Sequence, residues 1–444
     1  MSDVVSKDSE RRGPKRPPAD RPIDVSAVRP SRWAEAAGER DGAARRSAPH
    51  ILIVAGEASG DALGRELIRG LRELTDGHVR VTGVGGEAME GEGVRSLFPI
   101  SDTSVMGLRE VIPAIPRVLR RVRETADHIM EAQPDITVLI DSPDFTHRVA
   151  RRIVKRAPSM KVVKYVAPQV WASRPARAAR LAEMVDCVLT LFPFEAPWFE
   201  REGLPTICVG YSVVDRAAEM TGGAVFRTRH GIPADAPLLA ALPGSRRNEV
   251  RLTLPLMRDS VETVQDTVRD LHVVIPVVPH VASLIEEGVA DWDVPVTLVG
   301  QADKFPAFDA ADAALAVSGT VTTELALARV PMVVVYKMGW LTRWLAEFYV
   351  YTPFITMINL IEQAGVVPEF IQEGATAEAI VDELLPLLTD PAARERQLAD
   401  QMDALKSMGL GRESPSRRAA RAVLDLIGAP PSQTKMLKGR KRFW

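Results

Sequence analysis

The sequence predicts an α/β protein built from two Rossmann-like, doubly wound domains in series. Three observations carry this. Short continuous apolar runs such as Ile51–Val54, Ile136–Ile140 and Ala313–Val317 have the character of strands buried on both faces of a parallel sheet. Stretches of helical periodicity separate them, and such alternation specifies a parallel sheet with helices on both faces. The alternation stops at Gly210–Gly223 and then restarts, and a chain of 444 residues suits two domains.

In chain order, residues 1–49 are rich in Arg, Asp, Pro, Ala and Ser and lack sustained periodicity, so they read as a disordered extension. The first domain, 50–215, opens with the strand Ile51–Val54, a Gly-containing turn and a helix over Ala62–Leu74. A strand at Val79–Val84, an Arg-rich helix at Ile112–Ala132 and a strand at Ile136–Ile140 follow. A helix at Thr146–Arg156, a strand at Val162–Val166, a helix at Pro175–Glu183 and a strand at Cys187–Leu191 complete this half. The second domain, 216–390, has strands at Pro237–Leu242, His272–Val277, Val296–Val299, Ala313–Val317 and Met332–Tyr336. Its helices fall at Leu252–Val268, Val321–Ala328 and Glu378–Leu388. Residues 391–444 hold helices at Ala392–Met408 and Arg418–Leu426 and a basic, aromatic tail.

Hydrophobic residues make up 46% and charged residues 26%, as in ordinary globular proteins. A formal net charge of −2 argues against a chain-wide nucleic-acid binder, so no nucleic-acid partner is expected. The only cysteines, Cys187 and Cys208, fit no disulfide framework and no metal motif. No apolar run reaches the roughly 18 residues of a membrane span, and no signal-type apolar segment opens the chain. A cytoplasmic protein is expected, with any membrane contact peripheral.

Ligands in doubly wound folds bind beyond the carboxyl ends of the strands, and the strand-to-helix turns there carry the chemistry. Leu242–Val250 (LPGSRRNEV) joins a glycine, the hydroxyl of Ser245 and two guanidiniums, Arg246 among them, at a helix start, a natural diphosphate site. The plainer reading is a turn with surface arginines. Ser318, Thr320 and Glu324 lie in the turn after another strand, where hydroxyls can cap the helix or meet a ligand and Glu324 can accept from a ribose. Glu57, Ser59 and Asp61 follow the first strand in a Gly-rich turn that is neither a dinucleotide nor a Walker motif. They can face the acceptor or merely cap the helix. Asp141 ends an apolar strand, where partial desolvation raises a carboxyl pKa and suits a general base. A metal is disfavoured because no third ligand accompanies Asp141 and Asp144. Met106–Thr125 alternates apolar residues with arginines, and Trp340–Val350 and Lys438–Trp444 combine basic with aromatic residues, a signature of an anionic lipid surface or of ordinary surface helices.

These motifs together resemble the lipid A disaccharide synthase family of GT-B glycosyltransferases. The resemblance runs from about Ile51 to about Leu426 and takes in VAGEASGD (Val54–Asp61), SVMGLREV (Ser104–Val111) and PDITVLIDSPDF (Pro134–Phe145). It continues through YVAPQVWASRPAR (Tyr165–Arg177), LFPFE (Leu191–Glu195), LPGSRRNEV, SGTVTTELAL (Ser318–Leu327) and NLIEQAGVVPEFIQ (Asn359–Gln372). It implies transfer of diacylglucosamine from UDP to the 6-hydroxyl of diacylglucosamine 1-phosphate (lipid X). The transfer would proceed with inversion, at the cytoplasmic face of the inner membrane. Asp141 matches the family's candidate base. Arg246, Ser318, Thr320, Glu324, Asn359, Glu369 and Gln372 match donor-side positions, and Glu57, Ser59, Asp61, Met106 and Gly107 acceptor-side ones. The partners implied are UDP-diacylglucosamine, lipid X, a membrane surface and a second copy of the chain in a homodimer; no cofactor is implied.

The chain departs from the family pattern in three places. Tyr211 stands where the family has His after the hinge glycine, and Ser173 replaces the second Trp of VWAWR. Ile358-Asn359-Leu360 with Glu362–Gly365 replaces a segment that carries an Arg. Two other readings stay open on the residues alone: a related enzyme acting on another UDP-sugar, or a non-catalytic paralogue that binds nucleotide or lipid.

Overall fold

The computed structural model describes residues 48–103, 108–339 and 352–428. Met106, Gly107, the segment Trp340–Val350, the tail Lys438–Trp444 and the extension up to residue 47 lie outside the described residues.

Two six-stranded sheets form, each parallel throughout. The first holds β1 (His50–Ala55), β2 (Arg80–Val84), β3 (Ile136–Ile140), β4 (Val162–Tyr165), β5 (Cys187–Thr190) and β6 (Thr206–Cys208), in the order β2-β1-β3-β4-β5-β6. The second holds β7 (Leu238–Leu242), β8 (His272–Pro276), β9 (Val296–Val299), β10 (Ala313–Val317), β11 (Met332–Tyr336) and β12 (Glu369–Ile371), in the order β12-β11-β10-β7-β8-β9. Every residue of β1, β3, β7 and β10 is buried, which is why these strands read as unbroken apolar runs.

The helices of the first half are α1 (Ala58–Leu74), α2 (Glu87–Glu90), α3 (Leu108–Ala132), α4 (Pro143–Arg156), α5 (Arg177–Ala182) and α6 (Ala196–Glu200). Those of the second are α7 (Gly223–Arg229), α8 (Arg247–Gln265), α9 (Ala282–Val289), α10 (Lys304–Ala310), α11 (Thr320–Leu327), α12 (Met357–Glu362) and α13 (Ala377–Thr389). They are followed by α14 (Pro391–Met408) and α15 (Pro415–Leu426). The chain crosses between the halves through 3-10 turns at Ser212–Glu219. It then returns, because α15 packs on α1: Arg417 pairs with Glu73 at 2.5 Å, and Lys161 donates to the Leu426 carbonyl at 2.9 Å.

The sequence places α1, α4 and α8 too short at their amino ends. The first turns of α1 and α8 are polar or Gly-rich (Ala58-Ser59-Gly60, Arg247-Asn248-Glu249), and α4 opens on Pro143 and Asp144, which read as a turn before the helix. It omits β6 and β12, three-residue edge strands without a buried run.

Candidate active site

In the first sheet β1 and β3 are neighbours, so the turns after their carboxyl ends meet. These turns bring Glu57 and Ser59 to Asp141. Ser59 Oγ donates to Asp141 Oδ2 at 3.4 Å. The approach is close enough to demand glycine at Gly56: a Cβ there would meet Ser142 Cβ at 2.8 Å and Phe145 Cδ1 at 3.2 Å. Burial first, and then the charge and hydrogen bond of Asp141, push the Glu57 carboxyl above the usual range. The two carboxyls therefore lie close enough for Asp141 to disfavour ionisation of Glu57.

Asp141 and Ser142 both adopt left-handed backbone, with φ of 44° and 40°. Such conformations cost of order 1 kcal/mol or more each in non-glycine residues and persist only where neighbours enforce them. The enforcement is visible. Asp141 N–H donates to the Tyr165 carbonyl at 3.0 Å, and Thr146 Oγ1 donates to the Asp141 and Ser142 carbonyls at 2.7 and 3.0 Å.

Asp61 lies on the same turn but faces inward. Its carboxylate accepts from the N–H groups of Gly86, Ala88 and Met89 at 2.7 to 3.1 Å and so caps α2. Only 5% exposed, it has this cradle as its observed role, in place of the cleft-facing one expected of it.

In the second sheet β7, β10 and β11 are adjacent, so their carboxyl-terminal turns also converge. After β7, Gly244 takes φ +109°, where a side chain would be strained and would strike Glu249. Glu249 accepts from the N–H groups of Ser245 and Arg246 at 3.3 Å each and also pairs with the Arg246 guanidinium, whose side chain is 71% exposed. Two amides and a guanidinium thus point at one anionic group, as expected of a phosphate site at the start of α8.

After β10, Ser318 Oγ donates to the Ile355 carbonyl at 2.8 Å. Thr320 hydrogen-bonds Tyr211, the residue that stands in place of the hinge histidine. Glu324 is buried between two cations: Arg216, at 2.9 Å, and Lys304. Arg216 also stacks over Phe305, 4.4 Å from its centroid. The expected ribose acceptor is therefore already tied to the hinge.

Asn359 and Glu369 act on each other and on their own loop. Glu369 accepts from the Ile355 and Thr356 N–H groups at 2.9 and 2.8 Å and from Asn359 Nδ2 at 2.8 Å. Asn359 also clasps the Val367 backbone at both its amide atoms. Gln372, at φ +55°, accepts from Met338 N–H at 3.4 Å, and its Nε2 is enclosed without a partner among the described residues.

The family model of lipid-A-disaccharide synthetase matches residues 51–423. The chain belongs to the lipid-A-disaccharide synthase family. A lipid-A-disaccharide synthase of Ruegeria pomeroyi is 45% identical over 388 residues, covering 85% of this chain and 95% of that one. One of Rhodospirillum centenum is 43% identical over 378 residues, covering 85% and 94%. As a member of this family the chain is a glycosyltransferase.

Solved structures share the fold at low identity. The UDP co-structure of S. aureus MnaA superposes with a TM-score of 0.59 at 12% identity, covering 86% of this chain and 97% of that one. A glycotransferase of kitacinnamycin superposes with a TM-score of 0.55 at 17% identity, covering 85% and 99%. The two-domain arrangement is the GT-B architecture.

Four side chains of this family member complete the two clusters without having been singled out in the sequence: Lys164, Arg216, Glu249 and Lys304. Lys164 alone carried a signal there, as a charged residue within a four-residue buried strand. Among the described residues no helix is long and apolar enough to cross a membrane.

Proposed function

We propose that this synthase transfers 2,3-diacylglucosamine from its UDP donor to the 6-hydroxyl of 2,3-diacylglucosamine 1-phosphate, with inversion, giving a β-1,6 disaccharide 1-phosphate and UDP. The observation that carries the reading is the Glu57–Asp141 pair at the end of the first sheet, complemented by a diphosphate-type turn in the second. The alternative of an enzyme acting on another UDP-sugar, such as an epimerase, rests on fold likeness to solved structures such as the UDP-GlcNAc 2-epimerase of Neisseria meningitidis, at 13% identity.

In this reading Asp141 is the general base. It takes the proton of the acceptor hydroxyl as that oxygen attacks the anomeric carbon and the bond to the diphosphate breaks. Arg246, Ser245 and the first amides of α8 receive the developing negative charge on UDP. Ser318, Thr320, Glu324, Asn359, Glu369 and Gln372 shape the donor side, and Glu57 and Ser59 the acceptor side. Closure through the Ser212–Glu219 turns excludes water from the donor. The enzyme works on a membrane surface, to which both lipid substrates belong, and as a homodimer.

The test is incubation of the purified full chain with UDP-diacylglucosamine and lipid X. Disaccharide 1-phosphate and UDP are expected, with a β anomeric linkage by NMR. Tight UDP binding without disaccharide overturns the reading. The Asp141→Asn variant is expected to lose turnover by three orders of magnitude or more while binding UDP normally. Light scattering reads the dimer.

A further inference from the structure

Lys164 is the most deeply buried cation near the site. It is the third residue of β4 and 1% exposed. Its Nζ donates to the backbone carbonyl of Asp141 and, at 3.0 Å, to Thr146 Oγ1. Burying an ammonium is expensive, and a methionine or leucine would fill the strand position at lower cost. The side chain's contacts say what the expense achieves: they end on the residue proposed as base and on the threonine that holds its turn.

We propose that Lys164 is a positioning residue for the base: its amine fixes the left-handed Asp141–Ser142 turn through the Asp141 carbonyl and sets a positive charge against the Glu57–Asp141 pair. The inference rests on the reading of Asp141 as base.

Two arguments support it. The first is geometric. The Asp141 carbonyl accepts from both Lys164 and Thr146, while Thr146 also holds the Ser142 carbonyl. Two successive left-handed non-glycine residues are thus pinned from α4 and β4 together, which aims the carboxylate. The second is electrostatic. Burial pushes the Lys164 amine down to about 7, while the charges of Asp141 and Glu57 act in the opposite sense and favour the ammonium. Coupling of this kind is reciprocal, so the ammonium favours the ionised form of Glu57 and counters the burial that pushes it up. The other titratable group against it is His147 on α4, half-buried, whose imidazole is pushed down to about 3 by burial and then by the charges of Lys164, Arg177 and Arg151. His147 is neutral near pH 7 and does not offset the lysine.

The lysine neither gains nor loses a proton in the transfer. The acceptor proton passes to Asp141, the new C–O bond forms, and the bond to the diphosphate breaks with its electron pair leaving on UDP. The role of Lys164 is to hold the turn that aims Asp141 and, below its own pKa of about 7, to set a positive charge beside Glu57.

The test compares wild type, Lys164→Met and Lys164→Arg for kcat and KM between pH 5 and 9. For Lys164→Met, kcat at pH 6.5 is expected to fall ten- to a hundredfold with the donor KM within twofold. The acid limb of its kcat/KM profile should move about one pH unit upward, and Lys164→Arg should restore that limb. UDP affinity by calorimetry checks folding, and Lys164→Gln replaces Lys164→Met if the latter does not bind UDP. A second readout needs no turnover: the 13C carboxyl titration of Glu57, assigned with Glu57→Gln, should shift to higher pH in Lys164→Met. A rate loss uniform across pH, or an unmoved Glu57 titration, overturns the proposal. Full activity of Asp141→Asn would instead sink the reading of Asp141 as base, a separate outcome.

Discussion

Glu249 holds Arg246 with the same carboxylate that caps the backbone amides of Ser245 and Arg246. The donors best placed to grip a diphosphate are therefore already satisfied by an internal anion, and a bound diphosphate must compete with it. Removing the guanidinium removes a charge-assisted contact of about 1.5–3 kcal/mol. Arg246→Ala is thus expected to weaken UDP binding roughly ten- to a hundredfold. Glu249→Gln keeps an oxygen for the amides but deletes the competing charge, so UDP should bind a few-fold tighter at low salt, with the gain fading as salt rises. Calorimetric titration at two ionic strengths reads both. Weakening by Glu249→Gln equal to that of Arg246→Ala would show that the glutamate presents the arginine instead of competing for it.

Gly56 measures how tightly the β1 and β3 turns are pressed together. A Cβ 2.8 Å from Ser142 Cβ and 3.2 Å from Phe145 Cδ1 forces one turn away from the other. Such overpacking costs roughly 1–3 kcal/mol, and a shift of an ångström at a reacting pair costs far more in rate. Gly56→Ala should lower the melting temperature by several degrees and kcat by tenfold or more. UDP affinity, carried by the other domain, should stay the same. A loss of UDP affinity with intact kcat would contradict this division of labour.

The same region shows what the sequence could and could not convey. Strands such as β3 and β10 are legible because all their residues are buried and apolar. Asp141 is legible because it ends such a run. Glu57 is legible as a turn residue, but its perturbation by burial and by Asp141 is not, since that environment is made by a residue on another strand. Asp61 reads identically to Glu57 in the turn, yet it faces inward to cap α2, a distinction set by tertiary contact alone. Likewise Glu324 looks like a ligand acceptor until Arg216, distant in sequence, is seen against it.

His147 gives the fold a pH dependence. Its ring is half-buried, Nε2 has no partner among the described residues, and its pKa falls to about 3 from 6.5. Between those values the unfolded chain takes up a proton that the folded one refuses. Stability from this group is thus fully present above pH 6.5 and is lost as pH falls toward 3, at no more than about 1.4 kcal/mol per unit. Thermal melts of His147→Gln should show a shallower decline between pH 6.5 and 5 than the wild type. Parallel declines would assign the acid sensitivity elsewhere.

The helix α3 carries one apolar stripe that the domain covers over only part of its length. Val122, Ala126 and Ile129 are buried against the domain, while Ile115 and Leu119, one turn apart, are 46% and 39% exposed. Arg123 lies at the flank of this stripe and Arg117 and Arg120 on the far side of the helix, Arg117 near Asp102 at 3.7 Å and Arg120, its side chain 62% exposed, near Glu124 at 3.6 Å. An uncovered apolar pair with arginines on the same helix suits insertion at an anionic lipid surface. Burying those two side chains contributes on the order of 1.5–3 kcal/mol each, and each surface arginine about 1 kcal/mol. The double change Ile115→Glu with Leu119→Glu should therefore lower flotation with phosphatidylglycerol vesicles at least tenfold. Turnover of detergent-dispersed substrates should be spared, because neither residue touches the Asp141 cluster. Wild-type flotation should also fall with salt, since the arginines act over a screened distance of roughly 10 Å at 0.1 M. Salt-insensitive flotation, unchanged by the two glutamates, would move the membrane contact off this helix.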